Sequence, residues 1–172
     1  MTRSCRVIRP NLVRWRDMSG HSFELFSRHR RSGHDGVMSS TVSRRANAVG
    51  FVVSDMADSI AFYRRCGLPI PADVGPETPH LDVELEGGFR LMFDTEDIAR
   101  SLDPAWTAPT GGPRAALAIE CDSAIAVDGV HADLVAADHI SHLDPFDAPW
   151  GQRYASVLDP DGTPVDFYAP LV

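Results

Sequence analysis

A chain of 172 residues is about one domain's length, at a prior of roughly 150 residues per domain. Its 44% apolar and 23% charged residues match a globular composition, which excludes disorder along the whole chain. The net charge of −8 is unevenly spread: residues 1–45 hold ten of the sixteen basic residues and three acids, a balance of +7, which leaves residues 46–172 at −15.

Every basic residue is Arg. No period of 3.6 or 2 runs through residues 1–45, so they read as a basic, poorly ordered extension. Clustered Arg suits a phosphate-binding arm, and an Arg-rich, acid-poor composition suits a transit peptide. The preferred reading is an extension upstream of Met38 as the natural start, because the segment lacks both a helical basic face and the apolar core of a signal peptide. No nucleic acid and no membrane are therefore expected as partners. Cys5, Cys66 and Cys121 form no CxxC pair, which excludes a zinc ribbon and a disulfide scaffold and suits the cytoplasm.

From residue 46 the chain reads as a βαβββ unit used twice. Residues 46–53 are β-rich and end at Ser54-Asp55, either of which can cap a helix over Met56–Arg65. Met56, Ile60 and Tyr63 share one face of that helix, and Gly67 stops it. Prolines 69, 71, 76 and 79 mark a loop. Strict alternation over His80–Leu85 predicts a strand, and Glu86-Gly87-Gly88 turns the chain into a second strand over Phe89–Phe93. A long loop rich in Pro and Gly follows. The second unit has a strand over Arg114–Cys121 and a helix over Ser123–Ala137, with Ile125, Val130 and Leu134 available for its buried side. Asp138–His142 is a polar loop that places His139 and His142 at the surface. Gln152–Leu158 and Pro164–Tyr168 are strands joined by Asp159-Pro160-Asp161-Gly162, whose Pro presets φ and whose Gly takes the left-handed position.

Val52-Val53-Ser54-Asp55-Met56, Ser59–Tyr63 and Gly67, together with Trp150–Arg153 and the run Asp159–Tyr168, resemble the opening and close of the vicinal oxygen chelate superfamily. That superfamily includes glyoxalase I, bleomycin-binding resistance proteins, fosfomycin-resistance enzymes and extradiol dioxygenases. The resemblance covers roughly residues 46–170 and implies an α+β fold: two βαβββ modules forming a U-shaped mixed sheet around a cleft, with helices outside. It also implies a homodimer. Metal-dependent members hold a divalent ion on His or Glu side chains at four positions, which fall here on Ala48, Met92, Ala116 (or Ala115) and Asp166. Alanine has no donor atom and a thioether is a poor ligand for hard cations, so the usual site is missing and no cofactor is expected.

If Asp166 faces the cleft, alternation carries Gln152, Tyr154 and Ser156 to the same side, and His80, Asp82 and Glu84 inward from the first unit. The candidate ligand-binding residues are His80, Asp82, Arg90, Met92, Trp150, Tyr154, Ser156, Asp166 and Tyr168, with Asp166 the one candidate for a catalytic group. Bland readings stand beside these. His80, Asp82 and Glu84 also suit a solvated strand face, Arg90 and Arg153 suit structural ion pairs, Trp150 suits support of its turn, and Cys121 suits a small core residue. The function these residues favour is metal-free sequestration of a small aromatic or cationic molecule, as in the resistance branch of the family. One alternative is an enzyme of glyoxalase or dioxygenase type, with one divalent metal relocated to His80, Asp82 and Asp166 or with none. The other is a degenerate domain that binds proteins.

Overall fold

The computed structural model describes residues 11–16, 22–27 and 45–171, and the chain divides into two units, residues 1–44 and 45–172. In the first unit, β1 (Asn11–Arg16) and β2 (Ser22–Ser27) pair antiparallel, where the sequence shows no sustained period. The ideas of a phosphate-binding arm, a transit peptide and a start at Met38 otherwise concern residues outside those described.

The second unit is α+β and modular. Its first module runs β3 (Ala48–Val53), α1 (Met56–Arg65), β4 (His80–Glu84) and β5 (Arg90–Thr95), with sheet order β3-β5-β4. The second runs β6 (Leu117–Glu120), α3 (Ala124–Ala136), β7 (Ser141–Ala148), β8 (Gln152–Leu158) and β9 (Pro164–Pro170), in order β6-β9-β8-β7. A short helix, α2 (Glu96–Leu102), lies between them. In both sheets the strand before the helix runs parallel to the last strand of the module, and the closing hairpin is antiparallel. The second module is a full βαβββ unit. The first forms no strand between α1 and β4, because four prolines within residues 69–79 remove the donors that a ladder needs. Arg64 gathers the carbonyls of Ile70, Pro71 and Val74 in that loop instead.

Local chemistry explains both long helices. The Asp55 carboxylate accepts from the Asp58 N–H at 2.9 Å, and Ser123 Oγ accepts from the Ala126 N–H at 3.2 Å, each satisfying an orphan donor of the first turn. Met56, Ile60, Phe62 and Tyr63 of α1 and Val127 and Leu134 of α3 meet Val53, Phe93, Val157 and Phe167 in one core. Both modules thus bury the same side of their sheets under their own helix.

Four further expectations need correction. Ile125 is 83% exposed, because the face of α3 that packs is Val127, His131 and Leu134, spaced i, i+4, i+7, and Ile125 points away from it. Residues 141–148 are strand β7 rather than loop, paired with β8 through two register shifts, which is how Pro145 is accommodated. Glu96–Leu102 is helical inside the stretch read as loop, capped by Thr95 Oγ1. His142 is exposed as expected, whereas His139 is partly buried and stands edge-on to Phe62 at 4.8 Å.

Candidate functional site

With one side of each sheet committed to the core, the chemistry falls on the other side. On the first sheet, registers arrange that open face in rows: Ala48–Arg90–Glu84, Gly50–Met92–Asp82 and Val52–Asp94–His80. Its polar groups satisfy one another. Arg90 Nη1 donates to Asp82 Oδ2 at 2.5 Å, and His80 Nδ1 lies 2.7 Å from Asp94 Oδ1. Met92 lies beside Gly50, where a side chain would meet its Cε at 3.9 Å.

The open face of the second sheet is different in kind. Registers place Ala118, Asp166 and Ser156 in one row, and Glu120, Tyr168, Tyr154 and Phe146 in the next. Trp150, at the β7–β8 turn, stands edge-on to Phe146 at 6.3 Å and to Tyr154 at 5.8 Å, while Phe146 and Tyr154 are 5.7 Å apart. Trp150 Nε1 donates to Gln152 Oε1 at 2.8 Å, which fixes the indole although it is 61% exposed. The buried Ser156 hydroxyl donates to Asp166 Oδ1 at 2.7 Å. Burial, and then the Asp166 carboxylate beside it, push the Tyr154 phenol up to about 12, so it remains a donor at neutral pH.

The structure therefore gathers Trp150, Tyr154, Ser156, Asp166 and Tyr168 on one face, and His80, Asp82, Arg90 and Met92 on another. Phe146 escaped sequence reasoning because its strand did. Arg153 turns to the helix side, donating to Asp128 at 2.7 Å and Asp147 at 3.0 Å, and is structural. Cys121 is partly buried, and its thiol is pushed up first by burial.

Two further features lie apart from these residues. A cavity of about 660 Å³ is bounded by Val52, Glu96, Trp106, the loop through Gly111 and Arg114, Asp161 and Thr163. None of the site residues named from sequence lines it. On the helix side, His131 Nε2 is 2.8 Å from Ser141 Oγ, which in turn donates to Asp144 Oδ1 at 2.7 Å. The single hydroxyl proton goes to the carboxylate, so His131 must donate rather than accept. That polarity is the reverse of an activated serine and makes the cluster a clamp between α3 and β7.

The family's four metal positions carry little donor chemistry here. Ala48 is on β3 and Met92 on β5, Ala116 precedes β6, and the Asp166 carboxylate already accepts from Ser156. One hard donor among four positions does not fit a divalent ion held in the family's manner. The relocated set does not converge either: His80, Asp82 and Asp166 are each engaged with a different partner. Among the described residues no group of three or more His, Cys, Asp or Glu side chains comes together.

A sequence model of the Glyoxalase/Bleomycin resistance protein/Dioxygenase superfamily matches residues 45–167, and the chain belongs to that family. Solved structures agree on the fold. A glyoxalase/bleomycin resistance protein/dioxygenase family enzyme from Burkholderia phytofirmans PsJN superposes with a TM-score of 0.64 at 19% identity, over 74% of this chain and 100% of that one. A glyoxalase-related enzyme from Fulvimarina pelagi gives 0.61 at 21% identity, over 74% and 88%. A glyoxalase/bleomycin resistance protein/dioxygenase from Nocardioides gives 0.58 at 24%, over 77% and 87%. No curated protein matches the chain. Among the described residues no helix is long and apolar enough to cross a membrane.

Proposed function

We infer that this family member binds a small flat cation or aromatic molecule, without a resident metal, on the open face of the β6-β9-β8-β7 sheet. One observation carries the reading: the aromatic row Tyr168–Tyr154–Phe146, closed by Trp150, beside the carboxylate of Asp166. Aromatic faces attract a cation within about 6 Å of their centroids, Trp most strongly, for roughly 0.5–2 kcal/mol each. A carboxylate at the same spot adds charge complementarity that a neutral or anionic molecule cannot use. The lack of hard donors at Ala48, Met92 and Ala116 favours sequestration over Lewis-acid chemistry.

His80, Asp82, Arg90 and Met92 are read as the facing wall of the cleft that the family resemblance implies. The free thiols of Cys66 and Cys121 suit a reducing cytoplasm, and a homodimer is the assembly the same resemblance implies.

The test is a fluorescence titration of the full chain with benzyltrimethylammonium, its neutral carbon isostere and benzenesulfonate. The cation should bind at least about 10-fold tighter than the isostere, equivalent to about 1.4 kcal/mol, and lose that preference in Trp150→Phe and Asp166→Asn. Equal binding of all three probes would overturn the reading. So would about one metal per chain by elemental analysis, lost in Asp166→Ala.

A further inference from the structure

Among the described residues one buried side-chain polar atom has no hydrogen-bond partner: Nε2 of His80. Such atoms are rare in folded proteins, because burial removes water without replacing it. The other ring nitrogen explains the state of this one. Nδ1 is 2.7 Å from Asp94 Oδ1, and an ionised carboxylate only accepts, so Nδ1 carries the proton. In the neutral ring Nε2 is then a bare lone pair, and its tautomer is fixed by its cross-strand neighbour.

The fold fixes this pair as firmly as it fixes the core. His80 and Asp94 are directly opposite across the β4–β5 ladder, one row from the end of the sheet. Leu81 and Phe93, the next residues on each strand, are buried, so a slip of register that separated the pair would expose both. Val52, the third member of the row, lines the cavity of about 660 Å³. The His80 side chain keeps 30% of its exposure while Nε2 itself is closed to water. His80 and Asp94 do not themselves line that cavity, so a ligand hydroxyl would reach Nε2 only where the groups that cover it give way, and would then meet an acceptor already aimed by Asp94.

We propose that His80, oriented by Asp94, is a proton acceptor for a ligand hydroxyl of phenol or enol acidity on the open face of the β3-β5-β4 sheet. The step is balanced without a co-reactant. The ligand O–H bond breaks, an Nε2–H bond forms, and the electron pair stays on the ligand oxygen. The resulting imidazolium lies between that oxyanion and the Asp94 carboxylate and donates one N–H to each. Asp94 acts through His80 and is a positioning residue. The proposal does not rest on the aromatic face of the other sheet.

The test uses the full chain with histidine labelled in nitrogen-15, and 4-nitrophenol as the probe at a pH below its own pKa. In the free protein His80, assigned by the loss of its signals in His80→Gln, should show the tautomer protonated on Nδ1. Added 4-nitrophenol should show the phenolate absorbance band at least about 10-fold above its level in buffer, with both His80 nitrogens protonated. His80→Gln should abolish the band, and Asp94→Asn should reduce it and change the tautomer. A His80 protonated on Nε2 in the free protein would overturn the proposal, and that readout needs no variant to fold. A band absent from the unaltered protein, or undiminished in His80→Gln, would overturn it too.

Discussion

On the first sheet the open face is a lattice of polar pairs, Arg90 on Asp82 and His80 on Asp94, whereas on the second it is a row of aromatic rings with one carboxylate. The two modules share their strand order around the closing hairpin, and Met92 and Asp166 occupy corresponding places on the last strand. Their cores also correspond: Phe93 is flanked by Leu81 and Phe51, and Phe167 by Ala155 and Ile119. The plan is therefore repeated where apolar burial sets it and released where solvent does. A face whose polar groups pair with one another leaves over only the one nitrogen, while the aromatic face leaves the Trp150 indole 61% exposed.

The modules are also fastened together by particular bonds. The buried Asp159 carboxylate accepts from Tyr63 Oη of α1 at 2.8 Å and from the backbone of Asp161 and Thr163, and Asp161 in turn accepts from the Ser54 N–H at 3.1 Å. The turn that closes the second module is thus docked on the helix and strand end of the first.

The largest effects are expected in the core that the two modules share. Phe93→Ala and Phe167→Ala should each cost about 3–5 kcal/mol by denaturant unfolding, since both rings are fully buried. If one were tolerated and the other not, the modules would not be equivalent halves of one core. Next comes the fastening. Asp159→Ala strands the Tyr63 hydroxyl and two backbone donors and should cost roughly 3 kcal/mol, and Tyr63→Phe about 1–2 kcal/mol.

The same group sets a pH dependence. Burial pushes the Asp159 carboxyl above its usual range, against hydrogen bonds from Thr163 and Tyr63 that pull it down. The folded chain therefore holds this proton to a higher pH than the unfolded chain does. Its contribution to stability is fullest below the ordinary carboxylate pKa and is lost as pH rises through the raised value. Asp159→Asn should flatten that component of the thermal midpoint as pH rises above about 4, the ordinary carboxylate pKa.

The open faces give smaller effects on stability. Arg90→Ala removes a partly exposed pair and should shift stability by no more than about 1 kcal/mol, although it frees Asp82. The smallest effect is on Tyr154. Its phenol, raised to about 12 by burial and by Asp166, should remain protonated through pH 10 in an ultraviolet titration. In Asp166→Asn the titration should move down, because the negative charge that opposes phenolate formation is gone.

Much of the fold is legible in the order of residues alone. Met56–Arg65 and Gln152–Leu158 have the predicted limits because each carries a strong local signal, a cap and stop in one and a turn at both ends in the other. The pairing of His80 with Asp94 is within reach too: once Glu86-Gly87-Gly88 is the turn and Leu85 N–H meets Phe89 O, counting outward puts them opposite each other. Thr95, the acids Glu96 and Asp97 and the basic Arg100 are the start and stop signals of α2, hidden by the prolines that follow. Strand β7 has no such signal. Ser141-His142-Leu143-Asp144-Pro145 neither alternates nor avoids proline, and it is a strand only because β8 supplies a partner edge.

Residue order alone sets the family, the α+β class, the turn at Asp159–Gly162 and the lack of hard donors at three of the four metal positions, because each depends on residue type at a fixed spacing along the chain. Contacts between distant elements set which side of α3 is buried, where Phe146 and Trp150 meet Tyr154, and that His80 keeps one nitrogen without a partner. Those outcomes depend on register between distant strands and on what remains exposed once the core has formed, and no local pattern encodes either.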